Sequence, residues 1–329
     1  MKLSSINNST KDGQLILVSR DNTNYVDASD IAINMQTAME NWVAIEASLT
    51  VRYQQLNSGI CSGIKAIDDA ELLAPLPRAW QWLDGSLFLS HGDLMQTAFH
   101  LDPIADTDKI PLIYQGAGNN FSGPHDPIVA ASEQDGIDFE GEFGVIIGDV
   151  PMGSTPDFAL KQIKLIVMLN DISFRSLAPR EMKTGFGFVQ SKGATSFAPH
   201  AVTPDELGDS WKDGRICLSL HVQRNGTWFG SPRGDEMHFG FHELIAHSAR
   251  TRDLPAGTVL GSGTVSNSSL HVGQACLSEI RAKEMINEGQ PITPFLTAGE
   301  TVHMRTTNID GTNLFGDIYQ TVVVENKNV

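Results

Sequence analysis

Asp138, Glu140 and Glu142 alternate in the stretch Asp138-Phe139-Glu140-Gly141-Glu142-Phe143, which runs straight on into the apolar Gly144-Val145-Ile146-Ile147-Gly148. On an extended chain, side chains two apart share a face, and Phe, Val and Ile favour that conformation, so the three carboxylates are expected side by side. Like charges at that spacing repel and raise one another's pKa unless a cation neutralises them. Two readings follow: an acidic solvent face on an edge strand, or a carboxylate cluster for a divalent ion. The company this stretch keeps favours the ion.

Asp171 closes an apolar run in Leu169-Asn170-Asp171-Ile172-Ser173-Phe174-Arg175. Hard cations such as Mg²⁺ and Ca²⁺ take carboxylate and water oxygens, so Asp171 is a candidate further ligand; the plainer reading is a strand-end cap. A third group is Trp80-Gln81-Trp82-Leu83-Asp84-Gly85-Ser86, with His91 seven residues after Asp84. Two tryptophans beside an Asp-Gly turn read equally well as packing. A rival metal pattern lies in His238-Phe239-Gly240-Phe241-His242-Glu243-Leu244-Ile245-Ala246-His247, but it spells HExxxH. The residue added to HExxH rotates the second imidazole by roughly 100° off the shared helix face, which argues against a zinc-protease site. His238 and His242 have the four-residue spacing, yet Gly240 between them weakens a helix. Gly261-Ser262-Gly263-Thr264-Val265-Ser266-Asn267 is not G-x-S-x-G, and neither a Walker loop nor a GxGxxG opening a helix is present, so covalent-serine and nucleotide chemistry are disfavoured.

The 329 residues carry 23 basic and 39 acidic side chains, a formal net charge of -16, which argues against a phosphate backbone as the principal partner and so against nucleic acid. The three cysteines, Cys61, Cys217 and Cys276, are scattered with no CxxC, so neither a disulfide framework nor a thiolate zinc site is indicated. The N-terminus lacks the apolar core of roughly 7 to 15 residues that marks a secretory signal. No run of about 18 apolar residues occurs, so no membrane span is expected and a cytoplasmic setting fits.

These residues must be held by elements that the pattern also suggests. Leu15-Ile16-Leu17-Val18 and Tyr25-Val26 flank Asp21-Asn22-Thr23-Asn24 as in a hairpin. Ser29 and Asp30 are expected to cap a helix in which Met35, Met39, Trp42, Ile45 and Leu49 recur at helical spacing, a core stripe. A small N-terminal domain over 1–73 is expected to end at the Pro75-Leu76-Pro77 punctuation, leaving 74–329 as a larger β-rich domain. There, Ile216, Leu218, Leu220 and Val222 alternate ahead of an Asn225-Gly226 turn, which predicts a hairpin. Further strands are expected at Leu165 to Leu169, Thr258 to Leu260, Thr301 to Met304 and Ile318 to Val324.

In this order the segments resemble the fumarylacetoacetate hydrolase family over residues 77 to 324. The family's upstream Asp, E-x-E strand and downstream Asp look like Asp84, Glu140-Gly141-Glu142 and Asp171, which the resemblance makes the metal ligands. It implies His91 as catalytic base, Glu279 in Cys276-Leu277-Ser278-Glu279-Ile280 as its partner, Lys192 and Arg175 as catalytic and substrate contacts, and Tyr114 and Thr264 as substrate-binding residues. The implied fold class is α+β and β-rich, a mixed β-sandwich roll with a small N-terminal α+β domain, paired as a homodimer. Where animal fumarylacetoacetases place an aromatic, a Gln, a Tyr and an Arg against substrate, this chain has Ser86, Ala178, Met182 and His100.

The activity implied is metal-dependent hydrolysis of a carbon-carbon bond in a β-diketone acid, with fumarylacetoacetate giving fumarate and acetoacetate, a step of tyrosine and phenylalanine breakdown. The cofactor expected is Mg²⁺ or Ca²⁺, with Mn²⁺ as a further candidate, and the partner is a small dicarbonyl acid. Two rivals stand: acylpyruvate hydrolase, hydratase or decarboxylase chemistry on a smaller 2-oxo acid within the same fold, and a non-enzymatic protein whose carboxylates hold a structural ion.

Overall fold

The computed structural model describes residues 1–325. The N-terminal segment forms β1 (Lys2–Ile6), β2 (Gln14–Val18), β3 (Asn24–Asp27), α1 (Met35–Glu40), α2 (Trp42–Asn57) and β4 (Lys65–Ala66). The β2–β3 hairpin is present, with Leu17 opposite Val26. The helical stripe is present too, but its start differs from expectation: Asn34, not Ser29 or Asp30, caps α1, its side chain accepting from the Thr37 amide. Asn41 then interrupts the run, ending α1 and opening α2. Met35, Met39, Trp42 and Leu49 are buried and Ile45 packs against them.

The chain continues through β5 (Trp82–Ser86), α3 (Leu89–Phe99), β6 (Leu112–Gly116), β7 (Ile128–Ala130), β8 (Ile137–Asp138), β9 (Gly141–Ile147), α4 (Pro156–Gln162), β10 (Ile163–Asn170), β11 (Ser173–Phe174), α5 (Ala178–Thr184), β12 (Ser196–Phe197) and β13 (Ala201–Val202). Then come β14 (Trp211–Lys212), β15 (Arg215–Ile216), β16 (His221–Arg224), β17 (Thr227–Gly230), α6 (Phe241–Ser248), β18 (Thr258–Gly261), α7 (Leu277–Glu288), β19 (Thr301–Arg305) and β20 (Ile318–Val324). Eleven strands make one mixed sheet in the order β4-β3-β2-β1-β13-β10-β9-β18-β5-β6, with β12 also on β10. The second large sheet runs β17-β16-β19-β20-β7. Each sheet has one parallel pair, β18 with β5 and β20 with β7. The fold is mixed α+β and sheet-rich, as expected. The N-terminal strands extend the large sheet, since β1 pairs with β13.

Strands β9 and β10 lie at the centre and are buried on both faces, which explains their unbroken apolar runs. Phe143, Val145, Ile147, Ile166 and Met168 point into the core shared with the five-stranded sheet. Ile146, Leu165, Val167 and Leu169 point into the core shared with α2 and Trp82. The Asn225-Gly226 hairpin forms with both residues at positive φ, 53° and 73°, the geometry that a two-residue turn of this hand demands.

Two local expectations are corrected. Asp84-Gly85 is no turn; it lies within β5, where Asp84 faces Tyr114 on β6 and Gly261 on β18. The acidic stretch is not one strand either: β8 ends at Asp138 and β9 begins at Gly141, so Asp138 parts company with Glu140 and Glu142. Among the described residues, no helix is long and apolar enough to cross a membrane.

Where β1 meets β13, His200 is buried against Ser4, its Nδ1 2.7 Å from the Ser4 hydroxyl. Burial, helped by the Lys2 charge, pushes its pKa down to about 3. An imidazole held neutral in the fold but free to protonate when unfolded, near pH 6.5, draws protons to the unfolded state. Stability should therefore fall as pH drops from about 6.5 towards 3, by up to about 1.4 kcal/mol per pH unit from this group. Urea unfolding between pH 5 and 8 should show that slope in the wild type and a shallower one in His200→Gln.

Candidate active site

Sheet register gathers the acids. Glu142 on β9 stands opposite Leu169 on β10, and Asp171 follows one residue after β10 ends. On the other side of β9, Gly144 pairs with Gly261 of β18, which pairs in turn with Asp84. Oxygens of Asp84, Glu140, Glu142 and Asp171 all come within 4.8 Å of one another, and all four residues are buried. The approach depends on a missing side chain: a Cβ on Gly261 would lie 2.3 Å from Asp84 Oδ1 and 3.0 Å from Glu142 Oε2.

The cluster is held unevenly. Lys192 Nζ donates to Asp171 Oδ2 at 2.6 Å and Glu140 Oε2 at 3.0 Å. Tyr114 donates its hydroxyl to Asp171 Oδ2 at 2.6 Å, and Thr195 donates to Asp171 Oδ1 at 2.8 Å. Arg175 donates to Glu140 Oε1 and, through Nε, to Asp138 Oδ2 at 2.8 Å. The Glu140 amide donates to Asn170 Oδ1, and Asn170 in turn donates to Gln320. Asp84 receives the Gly263 amide at 3.1 Å. Both oxygens of Glu142 are buried without a hydrogen-bond partner among the described residues.

Electrostatics follow that asymmetry. Burial alone would raise Glu140, but Lys192 and Arg175 hold it well below the usual carboxylate range. Burial, together with the neighbouring acids, pushes Asp84 and Glu142 well above it. Burial opposes the charge on Lys192, yet Asp171 and Glu140 keep its ammonium form favoured. Five carboxylates, Asp138 included, thus face two cationic side chains. A buried carboxylate with no donor is costly. An all-oxygen donor set with uncompensated negative charge and unpartnered Glu142 oxygens fits a hard divalent cation.

Beside the carboxylates lies a dyad. His91, on α3, faces Glu279, in the first turn of α7, with Nδ1 2.9 Å from Oε1. Helices α3 and α7 pack together. Asp138 secures α7 by accepting from the amides of Leu277 and Ser278, two of the donors that a helix start leaves unpaired. This replaces the expectation of three acids on one face, because Asp138 serves a helix and Arg175 while Glu140 and Glu142 serve the cluster. Thr264 is buried one residue beyond the Gly263 amide. Of the departing positions, Ser86 closes β5, Ala178 and Met182 ride on α5, and His100 ends α3 in a left-handed conformation. The histidines of the HExxxH stretch form no metal-ligand cluster among the described residues; His238 meets the Asp108 carbonyl instead.

The model of the fumarylacetoacetate (FAA) hydrolase C-terminal region matches residues 82–323, and that of fumarylacetoacetase N-terminal domain 2 matches 1–78. The chain belongs to the fumarylacetoacetate hydrolase family. Within it, the chain is 29% identical over 157 residues to 2,4-didehydro-3-deoxy-L-rhamnonate hydrolase of a Sphingomonas species, covering 47% of this chain and 52% of that protein. The chain thus matches about half the length of that relative. It is 22% identical over 229 residues to oxaloacetate tautomerase YisK of Bacillus subtilis, covering 69% of this chain and 72% of that one. The fold is that of maleylpyruvate hydrolase from Sphingobium sp. SYK-6, solved with manganese(II) and pyruvate, at a TM-score of 0.67 and 15% identity, covering 98% of this chain and 99% of the other.

Sequence reasoning missed several members of the site. Gly261 stands in a Gly-Ser segment that matches no motif, and Thr195, Asn170 and Gln320 carry no local signal. Glu181, on α5, was also missed: its carboxylate accepts from the amides of Val189, Gln190 and Ser191, directly ahead of Lys192.

Glu142→Gln removes a buried acid whose charged form burial and the neighbouring acids disfavour, so in chelator the variant should melt at the same temperature as the wild type or higher. Millimolar Mn²⁺ should stabilise only the wild type, by about 2.7 kcal/mol at 100 times Kd. Gly261→Ala should abolish that gain, and a thermal-shift titration reads both.

Proposed function

We propose that this chain is a divalent-metal-dependent hydrolase that cleaves a carbon-carbon bond in a β-dicarbonyl acid, with fumarylacetoacetate as the leading substrate. The observation that carries the reading is the His91–Glu279 contact at 2.9 Å beside the buried carboxylate cluster. Asp84, Glu140, Glu142 and Asp171 would hold the ion, Mg²⁺, Ca²⁺ or Mn²⁺. A bound divalent cation supplies charge stabilisation to dicarbonyl oxygens and to the enolate that leaves.

The protein's own groups do the rest. The Glu279 carboxylate oxygen accepts from Nδ1–H, which fixes the tautomer and leaves His91 Nε2 free to take a proton. That proton comes from water as its oxygen bonds to the carbonyl carbon. When the carbon-carbon bond breaks, its electron pair passes into the enolate, and the imidazolium returns the proton. Lys192, cationic and among the acids, is placed to stabilise the developing oxyanion. Arg175 commits Nε and one terminal nitrogen to Asp138 and Glu140, so its main contribution is to position Glu140, with Nη1 left for substrate. Tyr114 and Thr264 would contact substrate.

A second reading stays on the same site: acylpyruvate hydrolase, hydratase, decarboxylase or tautomerase chemistry on a smaller 2-oxo acid. Ser86, Ala178, Met182 and His100, in place of the contacts of animal fumarylacetoacetases, favour it. The division at residues 73/74 is part of the proposal, supported by the two family models meeting between 78 and 82. So is a homodimer, supported by the exposed Val129, Tyr319 and Val323 on adjoining strands β7 and β20.

Loss of the diketone ultraviolet absorbance of fumarylacetoacetate, followed with Mg²⁺ and with chelator, should show ion-dependent turnover. His91→Ala should lower it by roughly 10² to 10⁴-fold while leaving ion binding intact. No consumption of fumarylacetoacetate, with turnover of oxaloacetate or an acylpyruvate, transfers the assignment to the second reading.

A further inference from the structure

Next to the all-oxygen cluster the fold assembles a second donor set of different chemistry. One imidazole nitrogen of His91, the sulfur of Cys276 and a carboxylate oxygen of Glu279 lie within 4.8 Å of one another. Cys276 immediately precedes α7 and its backbone is fixed: Cys276 bridges to Glu140, and the Gly141 amide donates to the Ala275 carbonyl at 2.8 Å. Cys276 and Glu279 are buried, while the His91 side chain keeps 19% of its surface exposed, which gives an ion a way in.

A thiol, an imidazole and a carboxylate make a poor set for Mg²⁺ or Ca²⁺ and a good one for Zn²⁺ or another thiophilic divalent ion. With bonds of about 2.3 Å to sulfur and about 2.0 Å to nitrogen and oxygen, a tetrahedral ion wants its donors roughly 3.3 to 3.6 Å apart. Small side-chain rotations would open the His91–Glu279 contact and draw the sulfur in. Burial pushes the Cys276 thiol up, as do the charges of Asp138, Glu279 and Glu140, so it is a cation at the sulfur that draws the proton off, and those same negative charges favour the cation, with Arg175 opposing. Three protein donors leave one position for water, as many zinc sites do.

We propose that His91, Cys276 and Glu279 form a second metal site, selective for thiophilic divalent ions, beside the hard-ion cluster. Binding releases the thiol proton to solvent. Occupation takes the imidazole away from its proton-accepting role, so a hard ion supports turnover and a thiophilic one silences it; this consequence rests on the hydrolase reading above.

The test titrates Co²⁺, a coloured stand-in for Zn²⁺, into the full chain saturated with Mg²⁺. A cobalt–thiolate charge-transfer absorbance should appear, saturate at one Co²⁺ per chain, and bleach when Zn²⁺ is added. It should vanish in Cys276→Ser and persist in the double variant Cys61→Ser/Cys217→Ser, which leaves Cys276 as the only thiol and guards against a misfolded Cys276→Ser. No band in the wild type, or its loss in the double variant, overturns the site. Where the band forms, one equivalent of Zn²⁺ should slow the Mg²⁺-supported reaction by ~10²-fold or more in the wild type. A full band with unchanged turnover keeps the metal site and removes His91 from its role as base.

Discussion

The structure is organised around a concentration of negative charge that its own cations do not balance. Asp84, Glu140, Glu142 and Asp171 are buried together, and a carboxylate taken out of water is tolerated only when paired or coordinated. Lys192 and Arg175 serve the Glu140 and Asp171 side, whereas Asp84 has one backbone amide and Glu142 has no hydrogen bond among the described residues. Repulsion of this size would splay the segments apart were they on loops. Glu142 lies within the central strand β9 and Asp84 within β5, while Glu140 and Asp171 stand at the ends of β9 and β10, strands whose apolar side chains reach into both cores.

The mixed pairing of the large sheet is what brings two of these acids together. A parallel pairing of β18 with β5 brings Asp84 alongside Gly261, and the antiparallel pairing of β18 with β9 brings the same glycine alongside Gly144, two residues from Glu142. One strand without a side chain at the crossing point lets carboxylates from positions 84 and 142 meet. The helices then add what a sheet cannot: α3 and α7, packed on each other, carry the imidazole and its carboxylate partner near their starts. Asp138 links the two layers, capping α7 while gripping Arg175.

Much of this was legible in the sequence, and the parts that were not share a cause. The β2–β3 and Asn225-Gly226 hairpins, the Met and Trp stripe and strand β20 are local patterns, set by residues within a few positions of each other. The four acids and His91 were legible through their order along the chain. Their depth was not, because burial of Glu142 depends on β10 and β18, strands that pair with β9 from well beyond its own sequence neighbourhood. The turn expected at Asp84-Gly85 failed since tertiary pairing on both sides of β5 overrides the local preference of Asp-Gly. The three-acid face failed because Asp138 has a helix start to satisfy, and α7 lies far along the chain.

The loop that delivers Lys192 shows how such long-range demands are met cheaply. Lys192 must point its ammonium group between Glu140 and Asp171, and β11 alone, two residues long, gives little support. Glu181 supplies it: three successive amides at Val189, Gln190 and Ser191, and the Ser191 hydroxyl, converge on its carboxylate. These bonds to charge lower its pKa to about 2, so the clasp stays ionised across the range in which the chain is acidic. A single exposed-side carboxylate thereby sets the loop geometry just ahead of Lys192, and the Ser173–Lys192 bridge and the Gly193 amide on the Ile172 carbonyl fasten the other side. The backbone that carries Lys192 is thus fixed on both flanks, and its ammonium group is held at the far end by Asp171 and Glu140.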